Sequence, residues 1–250
     1  MSKLRVAIVG SGISGLSCAW YLSKKFNIDI YEKCDYFGGH SNTQTVLSEG
    51  KSIDVDTGFI VFNKINYINL CNFFDALNVK SYESDMSFSV SIHNGNLEYS
   101  GSSFLSLFAQ KKNLFNINFL KMIYEIIKFY NQSEKDRNIF RNFTIDEYLN
   151  KKRYSDYFKS NHLYPMASSI WSSPISKIPD FPFVEFVNFF SNHGLLRILN
   201  RPKWRTVEGG SKVYVKEVLK NKKINSFKGF KAQAYKSKNG LWEIKFTNKI

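Results

Sequence analysis

The sequence predicts an α/β protein in which a domain built on a parallel sheet is interrupted by a mainly helical insertion. Three observations predict this class. An apolar run at residues 4–9 leads through a glycine-rich turn into a segment with helical spacing. The middle of the chain has helical periodicity, with a helix predicted over 114–130 and another that begins at a capping box of Thr144 and Glu147. A further helix is predicted at 212–219 after the Gly209-Gly210 pair, and short strands at 230–236 and 242–247 with a hairpin turn at 237–240 follow Lys220. With 250 residues, 43% of them hydrophobic and 22% charged, the chain can bury a substantial core.

The first elements form a nucleotide-binding pattern. The apolar run at 4–9 is typical of a buried parallel strand, and the segment at 16–22 that follows the turn is predicted to be a helix. The turn between them reads Gly10, Ser11, Gly12, Ile13, Ser14, Gly15. In such a turn the first glycine permits the tight bend, the second lets backbone approach a pyrophosphate, and the third lets the helix pack on the strand. The phosphates are expected at the helix N-terminus, where free N–H groups favour negative charge.

A second predicted strand at 28–31 ends in Glu32, about twenty residues after Gly12. A carboxylate at this place can accept both ribose hydroxyls, and it disfavours the 2′-phosphate of NADP. The alternative is a glycine-rich turn in some other α/β protein. That alternative does not account for the strand, the helix and the carboxylate together, so the sequence favours a Rossmann-like dinucleotide site.

Two further segments contain glycines. The first begins at Lys33 and reaches Gly38, Gly39 and His40. Here the sequence resembles the FAD-binding amine-oxidase superfamily, which includes monoamine oxidases and phytoene desaturases. In the superfamily such a glycine pair passes close to the phosphates of the flavin nucleotide. His40 stands where Arg is common, so only the backbone contacts are expected to persist.

The second segment runs from Asp56 through Gly58 and Phe59. Taken alone it predicts a β-bulge, but in the superfamily an Asp-x-Gly segment lies beside the isoalloxazine ring. The resemblance therefore implies FAD as the cofactor. It implies these cofactor-binding residues: Gly10, Ser11, Gly12, Ile13, Ser14, Gly15, Glu32, Lys33, Gly38, Gly39, His40, Gly58 and Phe59.

Segments at 164–174, 189–196 and 201–211 extend the resemblance over nearly the whole chain. They resemble one branch of the superfamily, predicted NAD/FAD-binding proteins with an amine-oxidase domain. The branch is often linked to lipid modification. The resemblance thus implies an FAD-dependent oxidoreductase that abstracts a hydride from a C–N or C–C unit of a small-molecule or lipid substrate. An NAD-binding dehydrogenase and a non-catalytic, truncated dinucleotide-binding fragment remain the alternatives.

The resemblance also implies a discontinuous cofactor domain at 1–76 and 206–250, with a helical substrate domain at 77–205. The superfamily's C-terminal Gly-Asp segment does not follow Trp242, so we expect the chain to be C-terminally incomplete. His162 and His193 have no acidic, Ser or Cys partner at diagnostic spacing, and no catalytic residue is assigned. Substrate, electron acceptor and oligomeric state stay open.

The net charge of +14 comes from lysines spread along the chain, which indicates a solvated basic surface rather than a nucleic-acid site. The apolar, basic stretch at 111–130 leaves peripheral membrane contact open, although its polar face is not uniformly basic. No run of eighteen apolar residues or secretion signal occurs, which favours the cytoplasm. Three cysteines form neither a disulfide framework nor a metal motif, and Cys18 is expected to be buried in the first helix.

Overall fold

The computed structural model describes residues 4–92, 94–197, 201–238 and 241–248. The chain divides into two compact units. The first, called the discontinuous unit, combines Met1–Ser84 with Lys203–Ile250, and the second, called the inserted unit, is Asp85–Pro202. The predicted class, a Rossmann-like α/β domain with a mainly helical insertion, is confirmed.

The helices and strands follow in chain order. The discontinuous unit begins with β1 (Arg5–Val9), α1 (Ile13–Leu22), β2 (Asn27–Glu32), β3 (Thr43–Ser48), β4 (Lys51–Asp56), β5 (Phe62–Asn63), α2 (Ile68–Ala76) and β6 (Ser81–Ser84). The inserted unit contains β7 (Ser89–Ile92), β8 (Leu97–Ser100), α3 (Phe104–Leu107), α4 (Ile117–Asp136), α5 (Ile145–Lys151), α6 (Asp156–Phe158), α7 (Tyr164–Trp171) and α8 (Phe183–Asn192). The discontinuous unit resumes with β9 (Trp204–Val207), α9 (Lys212–Leu219), β10 (Ile224–Lys228), β11 (Phe230–Lys238) and β12 (Leu241–Asn248).

A parallel sheet of order β1-β2-β10 carries the glycine turn. Val9 is paired with Tyr31, and Lys228 with Glu32, so the three strands end at the same edge. Leu16 and Ala19 of α1 are buried in the same cluster as Ile28 and Ile30 of β2. The expectation that the first strand is buried is wrong, because no residue of β1 is fully buried. Among the described strands, β1 has a neighbour on one side only, which leaves it partly exposed.

Three smaller sheets complete the discontinuous unit. The hairpin of β3 and β4 turns through Glu49 and Gly50, which both have positive φ, as a two-residue type I′ turn requires. β9 lies between β5 and β6 in an antiparallel sheet, and β11 pairs with β12. β11 and β12 contain the predicted strands 230–236 and 242–247, but residues 237 and 238, predicted to be in the turn, continue β11. The rest of that turn, 239–240, lies outside the described residues.

The pairing of β9 explains where the compact units divide. Arg205 pairs with Phe62 on one side and with Glu83 on the other. The discontinuous unit therefore includes β6 and the whole of β9. Its boundaries fall at 84 and 203, whereas the domain boundaries predicted from the sequence are 76 and 206.

The inserted unit is held by an aromatic core. Phe119, Met122 and Phe129 of α4 are fully buried in it, and Trp171 packs on its edge against Phe181 with ring centroids 4.7 Å apart. The predicted helix around 114–130 is present as a 3₁₀ turn, Lys111–Phe115, followed by α4. The predicted capping box is also present, because Thr144 and Glu147 exchange hydrogen bonds at the start of α5.

The expectation for Cys18 is wrong, because this residue is exposed on α1. Leu16 and Ala19 form the buried side of the helix, and at 100° per residue Cys18 lies about 200° from Leu16. None of the helices within the described ranges is long and apolar enough to cross a membrane.

Candidate functional site: a dinucleotide-binding cleft

The glycine turn connects the end of β1 to the start of α1. Gly10 has φ of +95°, in the region that favours glycine, and its N–H donates to the Tyr31 carbonyl at 2.8 Å. Gly12 is the N-cap of α1, and no side chain caps this helix end. The first N–H groups of α1 thus remain available to an anion, and the helix dipole favours one there.

Two glycines of this turn lack a side chain for different reasons. A Cβ on Gly15 would lie 2.0 Å from the carbonyl oxygen of Gly10, so any other residue would separate α1 from the turn. A Cβ on Gly12 would meet nothing within 4 Å. The protein itself does not require glycine at position 12 for space, which is the pattern expected where a ligand must approach the backbone.

Glu32 is buried at the end of β2 and is held by the turn. Ser11 donates to its Oε2 from both the backbone N–H, at 2.8 Å, and the hydroxyl, at 2.6 Å. The N–H of Cys34 donates to Oε1 at 3.0 Å. Burial raises the pKa of Glu32, but the hydrogen bonds from Ser11 and Cys34 outweigh it and hold the pKa below its usual value. Glu32 is therefore an oriented carboxylate, and its remaining lone pairs can accept ligand hydroxyls.

The loop of Gly38 and Gly39 lies directly against the glycine turn. The Gly38 N–H donates to the Ser11 hydroxyl at 3.1 Å, and a Cβ on Gly39 would lie 3.2 Å from the Cα of Gly12. Both glycines have positive φ. The two glycine segments, about 25 residues apart in sequence, thus form a single backbone surface with few side chains in it.

The third predicted segment is joined to the second. The Phe59 N–H donates to the His40 carbonyl at 2.7 Å, and a Cβ on Gly58 would lie 2.2 Å from that same oxygen. Gly58 is therefore required by the close passage of the loop at His40. This contact brings Phe59 next to the loop that carries Gly38 and Gly39.

Two adjoining cavities lie along this surface, of about 600 and 610 Å³. Both are lined by Val9, Gly10, Gly39 and His40. The first also contains Glu32, Lys33, Cys34, Tyr31, Tyr36, Phe230 and Lys231. The second also contains Gly12, Ile13, Ser14, Gly15, Gly38, Ser41, Phe59, Tyr67, Leu70 and Tyr214. All the predicted cofactor-binding residues except Ser11 and Gly58 thus line these two cavities, which we call the cleft. Ser11 is buried and holds Glu32, and Gly58 contacts the loop at His40.

Several residues of the cleft were missed by sequence reasoning. Tyr214 is buried in α9, lines the second cavity and is hydrogen-bonded through its hydroxyl to the Ser41 hydroxyl. Burial raises the pKa of this phenol, so it is neutral near pH 7. The only signal in the sequence was the Gly209-Gly210 pair before the predicted helix.

Asp56, the first residue of the third predicted segment, is hydrogen-bonded to the N-terminus of α9. Its carboxylate accepts from the Ser211 N–H at 3.0 Å and from the Ser211 hydroxyl at 2.8 Å, and the Thr43 hydroxyl donates to it at 2.5 Å. The Lys212 N–H donates to the Thr43 hydroxyl at 2.9 Å. Asp56 and Thr43 thus satisfy the N-terminal N–H groups of α9, and Asp56 is not among the residues that line either cavity.

The two candidate histidines lie in the inserted unit. His162 is fully buried in a π-helical segment, Lys159–Leu163, and its Nδ1 lies 2.9 Å from the Tyr99 hydroxyl. Burial lowers the pKa of His162 to about 3, so it is neutral near pH 7. Nδ1 of His193 lies 2.8 Å from the Phe189 carbonyl, within its own helix turn. Both arrangements are those of structural histidines.

Comparison with known proteins agrees with this geometry. Residues 8–77 match the family model of the NAD(P)-binding Rossmann-like domain. Prenylcysteine oxidase 1 of Homo sapiens is 24% identical over an alignment 263 residues long, which covers 98% of this chain and 44% of that protein. Prenylcysteine oxidase 1 of Pongo abelii aligns over the same shares, also at 24% identity.

Solved structures give the same result for the fold. Wild-type putrescine oxidase bound to putrescine superposes with a TM-score of 0.64 at 17% identity, over 97% of this chain and 55% of that chain. An oxidoreductase from Methanosarcina mazei has a TM-score of 0.59 at 16% identity, over 98% and 57%. The chain therefore spans about half the length of the proteins that it matches.

The discontinuous unit has a fold of the Rossmann-like class, and residues 8–77 match a family model described as NAD(P)-binding. The relatives within that class are members of the FAD-dependent amine-oxidase superfamily, and the resemblance inferred from the motifs is confirmed. FAD is the cofactor that the comparisons support, and FAD-dependent oxidoreductases are the enzymes to which the chain is related.

Proposed function

We propose that the discontinuous unit binds FAD and that the protein is the flavin-binding part of an oxidoreductase of the amine-oxidase type. One observation carries the proposal. Two cavities that share Val9, Gly10, Gly39 and His40 are lined by the glycine turn, the second glycine loop and Phe59. An extended dinucleotide needs a site of this form, with room for a nucleoside at one end and for a second ring at the other.

The residues present fit the two halves of this cofactor. In the first cavity, the oriented carboxylate of Glu32 would accept the ribose hydroxyls. The N-terminus of α1 and the backbone at Gly38 and Gly39 would hold the pyrophosphate, because no Cβ or capping side chain blocks them. The apolar and aromatic side chains of the second cavity, Phe59 and Tyr67 among them, would enclose the flavin end.

When bound, FAD would accept a hydride, which carries two electrons, from a C–N or C–C unit of the substrate. The residues of the cleft bind and orient the cofactor, and Leu70 and Phe59 exclude water from its second cavity. The relatives' names, prenylcysteine oxidase and putrescine oxidase, point to an organic or lipid substrate. Catalytic residues for that step are not assigned among the described residues.

The proposal is tested by titrating the purified chain with FAD and following flavin fluorescence. Glu32→Gln should weaken FAD binding by about tenfold to a hundredfold, the usual value of hydrogen bonds to a charged group. Glu49→Gln is the matched control, since Glu49 lies in the exposed β3–β4 turn. A chain that binds no FAD, or one in which both variants bind equally well, would contradict the proposal.

NAD is the second candidate, because the matched family model is described as NAD(P)-binding. Both dinucleotides contain the ADP moiety, so they differ only in the half that would occupy the second cavity. We expect Tyr67→Ala to weaken FAD more than ADP, since Tyr67 lines the second cavity only. NADH that binds more tightly than FAD in the same titration would favour the dehydrogenase.

The cytoplasm is the proposed compartment. Cys18, Cys34 and Cys71 are all free, which suits a reducing environment. The scattered lysines and the absence of a nucleic-acid motif in the sequence favour no nucleic-acid partner. Fractionation of cells that express the protein, followed by immunodetection, would test the location.

A further inference from the structure

Helix α4 exposes apolar side chains on the face that points away from the core. Ile117, Leu120, Tyr124 and Ile127 are all exposed, and they follow one another at intervals of three or four residues. At 100° per residue they occupy an arc of about 80° and extend over about 15 Å of the helix. The opposite side of α4 is the buried one that packs into the aromatic core. The first half of α4 is therefore apolar on both sides, unlike an ordinary surface helix.

The chain just before α4 extends this surface. Phe115 is 88% exposed and Ile117 is 81% exposed. These are large side chains held outward by the 3₁₀ turn that ends at Phe115 and by the Asn116 cap, whose side chain accepts from the Phe119 N–H at 3.2 Å. We call Phe115, Ile117, Leu120, Tyr124 and Ile127 the α4 stripe. Scattered exposed apolar residues are normal, but an aligned set of this kind marks an interaction surface.

The sequence around the first half of α4 is basic, whereas the exposed Glu134 and the buried Asp136 lie near the C-terminal end of the helix, beyond Ile127. Between residues 101 and 133 the sequence contains four lysines and a single acid, Glu125. Glu125 is buried and accepts from the N–H and the hydroxyl of Ser155, so it does not offset the lysines at the surface. Lys128 donates to the Lys152 carbonyl and lies over the Tyr154 ring. Lys111, Lys112 and Lys121 take part in none of the ion pairs found in the described part of the chain.

We propose that the α4 stripe docks the protein on a membrane surface that contains anionic lipid. The apolar side chains enter the boundary between headgroups and acyl chains, and Lys111, Lys112 and Lys121 lie at the level of the lipid phosphates. Tyr124 suits this boundary, because its ring is apolar and its hydroxyl is polar. A second copy of this chain is a poorer occupant, because the same lysines would face each other across a symmetric contact.

The test is sedimentation of the full chain with vesicles of phosphatidylcholine, with and without phosphatidylserine. We expect binding to the anionic vesicles that weakens as salt is raised, since ions screen the lysines. Ile117→Ser should reduce the partition coefficient about tenfold, the usual effect of withdrawing one isoleucine from an apolar phase. Lys121→Glu should reduce it at least about fivefold.

Each variant has a matched control in the same unit. Ile139 is 72% exposed and lies just beyond the far end of α4, so Ile139→Ser makes the same chemical change away from the stripe. Lys177→Glu at an exposed position makes the same change of net charge as Lys121→Glu. This control is needed because a chain of net charge +14 is attracted to any anionic vesicle. Both controls should change the partition coefficient by less than about twofold.

Two results would overturn the proposal. One is that Ile117→Ser and Ile139→Ser bind anionic vesicles with the same partition coefficient, because the attraction would then depend on net charge only. The other is a wild-type chain that fails to bind anionic vesicles but self-associates in sedimentation velocity, with Ile117→Ser restoring the monomer. All four substituted residues are exposed, and thermal melting of each variant will show that it remains folded.

Discussion

In the first glycine turn, a Cβ added to Gly15 would lie 2.0 Å from a backbone oxygen, whereas one added to Gly12 would meet no atom within 4 Å. We therefore expect Gly15→Ala to lower the free energy of unfolding by about 1–3 kcal/mol, because α1 must move away from β1. Gly12→Ala should leave stability nearly unchanged but weaken FAD binding. Urea unfolding and FAD titration of both variants measure the two effects separately.

The pair of glycine variants also tests the proposed cofactor site. If Gly12→Ala binds FAD as the wild type does, the backbone at Gly12 is not where a pyrophosphate approaches. If Gly15→Ala keeps full stability, α1 and the turn must tolerate more separation than the short approach to Gly10 suggests.

Glu32 should make the stability of the protein depend on pH. Its pKa in the folded protein lies below the ordinary value of 4.5, because the hydrogen bonds from Ser11 and Cys34 outweigh the effect of burial. The carboxylate therefore contributes stability that is fully present above about pH 4.5 and is lost as the pH falls through the lower folded value. Glu32→Gln should melt at a lower temperature than the wild type near neutral pH, and the difference should shrink below pH 4.5.

The matched variant Glu49→Gln should melt close to the wild type near neutral pH, since Glu49 is exposed in a turn. Melting curves that differ by a constant amount from pH 6 to pH 3 would mean that the hydrogen bonds at Glu32 do not favour its charged form. Measurements are best made without a dinucleotide, because a ligand that binds only the native state would add its own pH dependence.

At the scale of elements, the N-terminus of α9 depends on the hairpin of β3 and β4. Asp56, at the end of β4, accepts from Ser211, and Thr43, at the start of β3, accepts from Lys212. Asp56→Ala should lower the free energy of unfolding by about 0.5–2 kcal/mol, the range for removal of a helix cap. Asp56→Asn should recover part of that loss, because an amide oxygen can still accept.

Asp54 is the control for this cap. It lies two residues earlier on the same strand and forms an ion pair with the Lys212 side chain, with 2.5 Å between Nζ and Oδ1. Because this pair is solvent-exposed, we expect Asp54→Ala to destabilise the protein less than Asp56→Ala in the same urea titration. Equal losses would assign the effect to charge near α9 rather than to the hydrogen bonds of Asp56.

These elements show what could be predicted from the sequence. The βαβ pattern, the Thr144 capping box and α9 follow from local spacing, and the sequence predicted each of them. The role of Asp56 could not be predicted in this way, because its partner Ser211 is 155 residues away and the contact exists only in the folded unit. The third strand of the parallel sheet, β10, was missed for the same reason, since its partner β2 lies far earlier in the chain.

The cleft shows the same limit for the candidate site. Its lining by three glycine-containing segments could be predicted from motifs, because each motif must pass close to one ligand. Tyr214 could not, since nothing local marks a tyrosine in α9 as the hydrogen-bond partner of Ser41. The resemblance did not reveal that Asp56 caps α9 or that Gly58 is a point of close backbone contact, because both contacts are made with distant parts of the folded chain.

For the whole molecule, the division into two units predicts where FAD will protect the backbone from exchange. The proposed site lies within the discontinuous unit, so bound FAD should slow hydrogen exchange in segments 10–15 and 32–41. At a hundred times the dissociation constant, the native state gains about 2.7 kcal/mol against unfolding. In α5, within the inserted unit, FAD should slow the exchange of only those amides that exchange through global unfolding. Hydrogen exchange followed by mass spectrometry measures this protection, and Gly12→Ala should lose it. If FAD slowed exchange through local opening equally in both units, a site confined to the discontinuous unit would be contradicted.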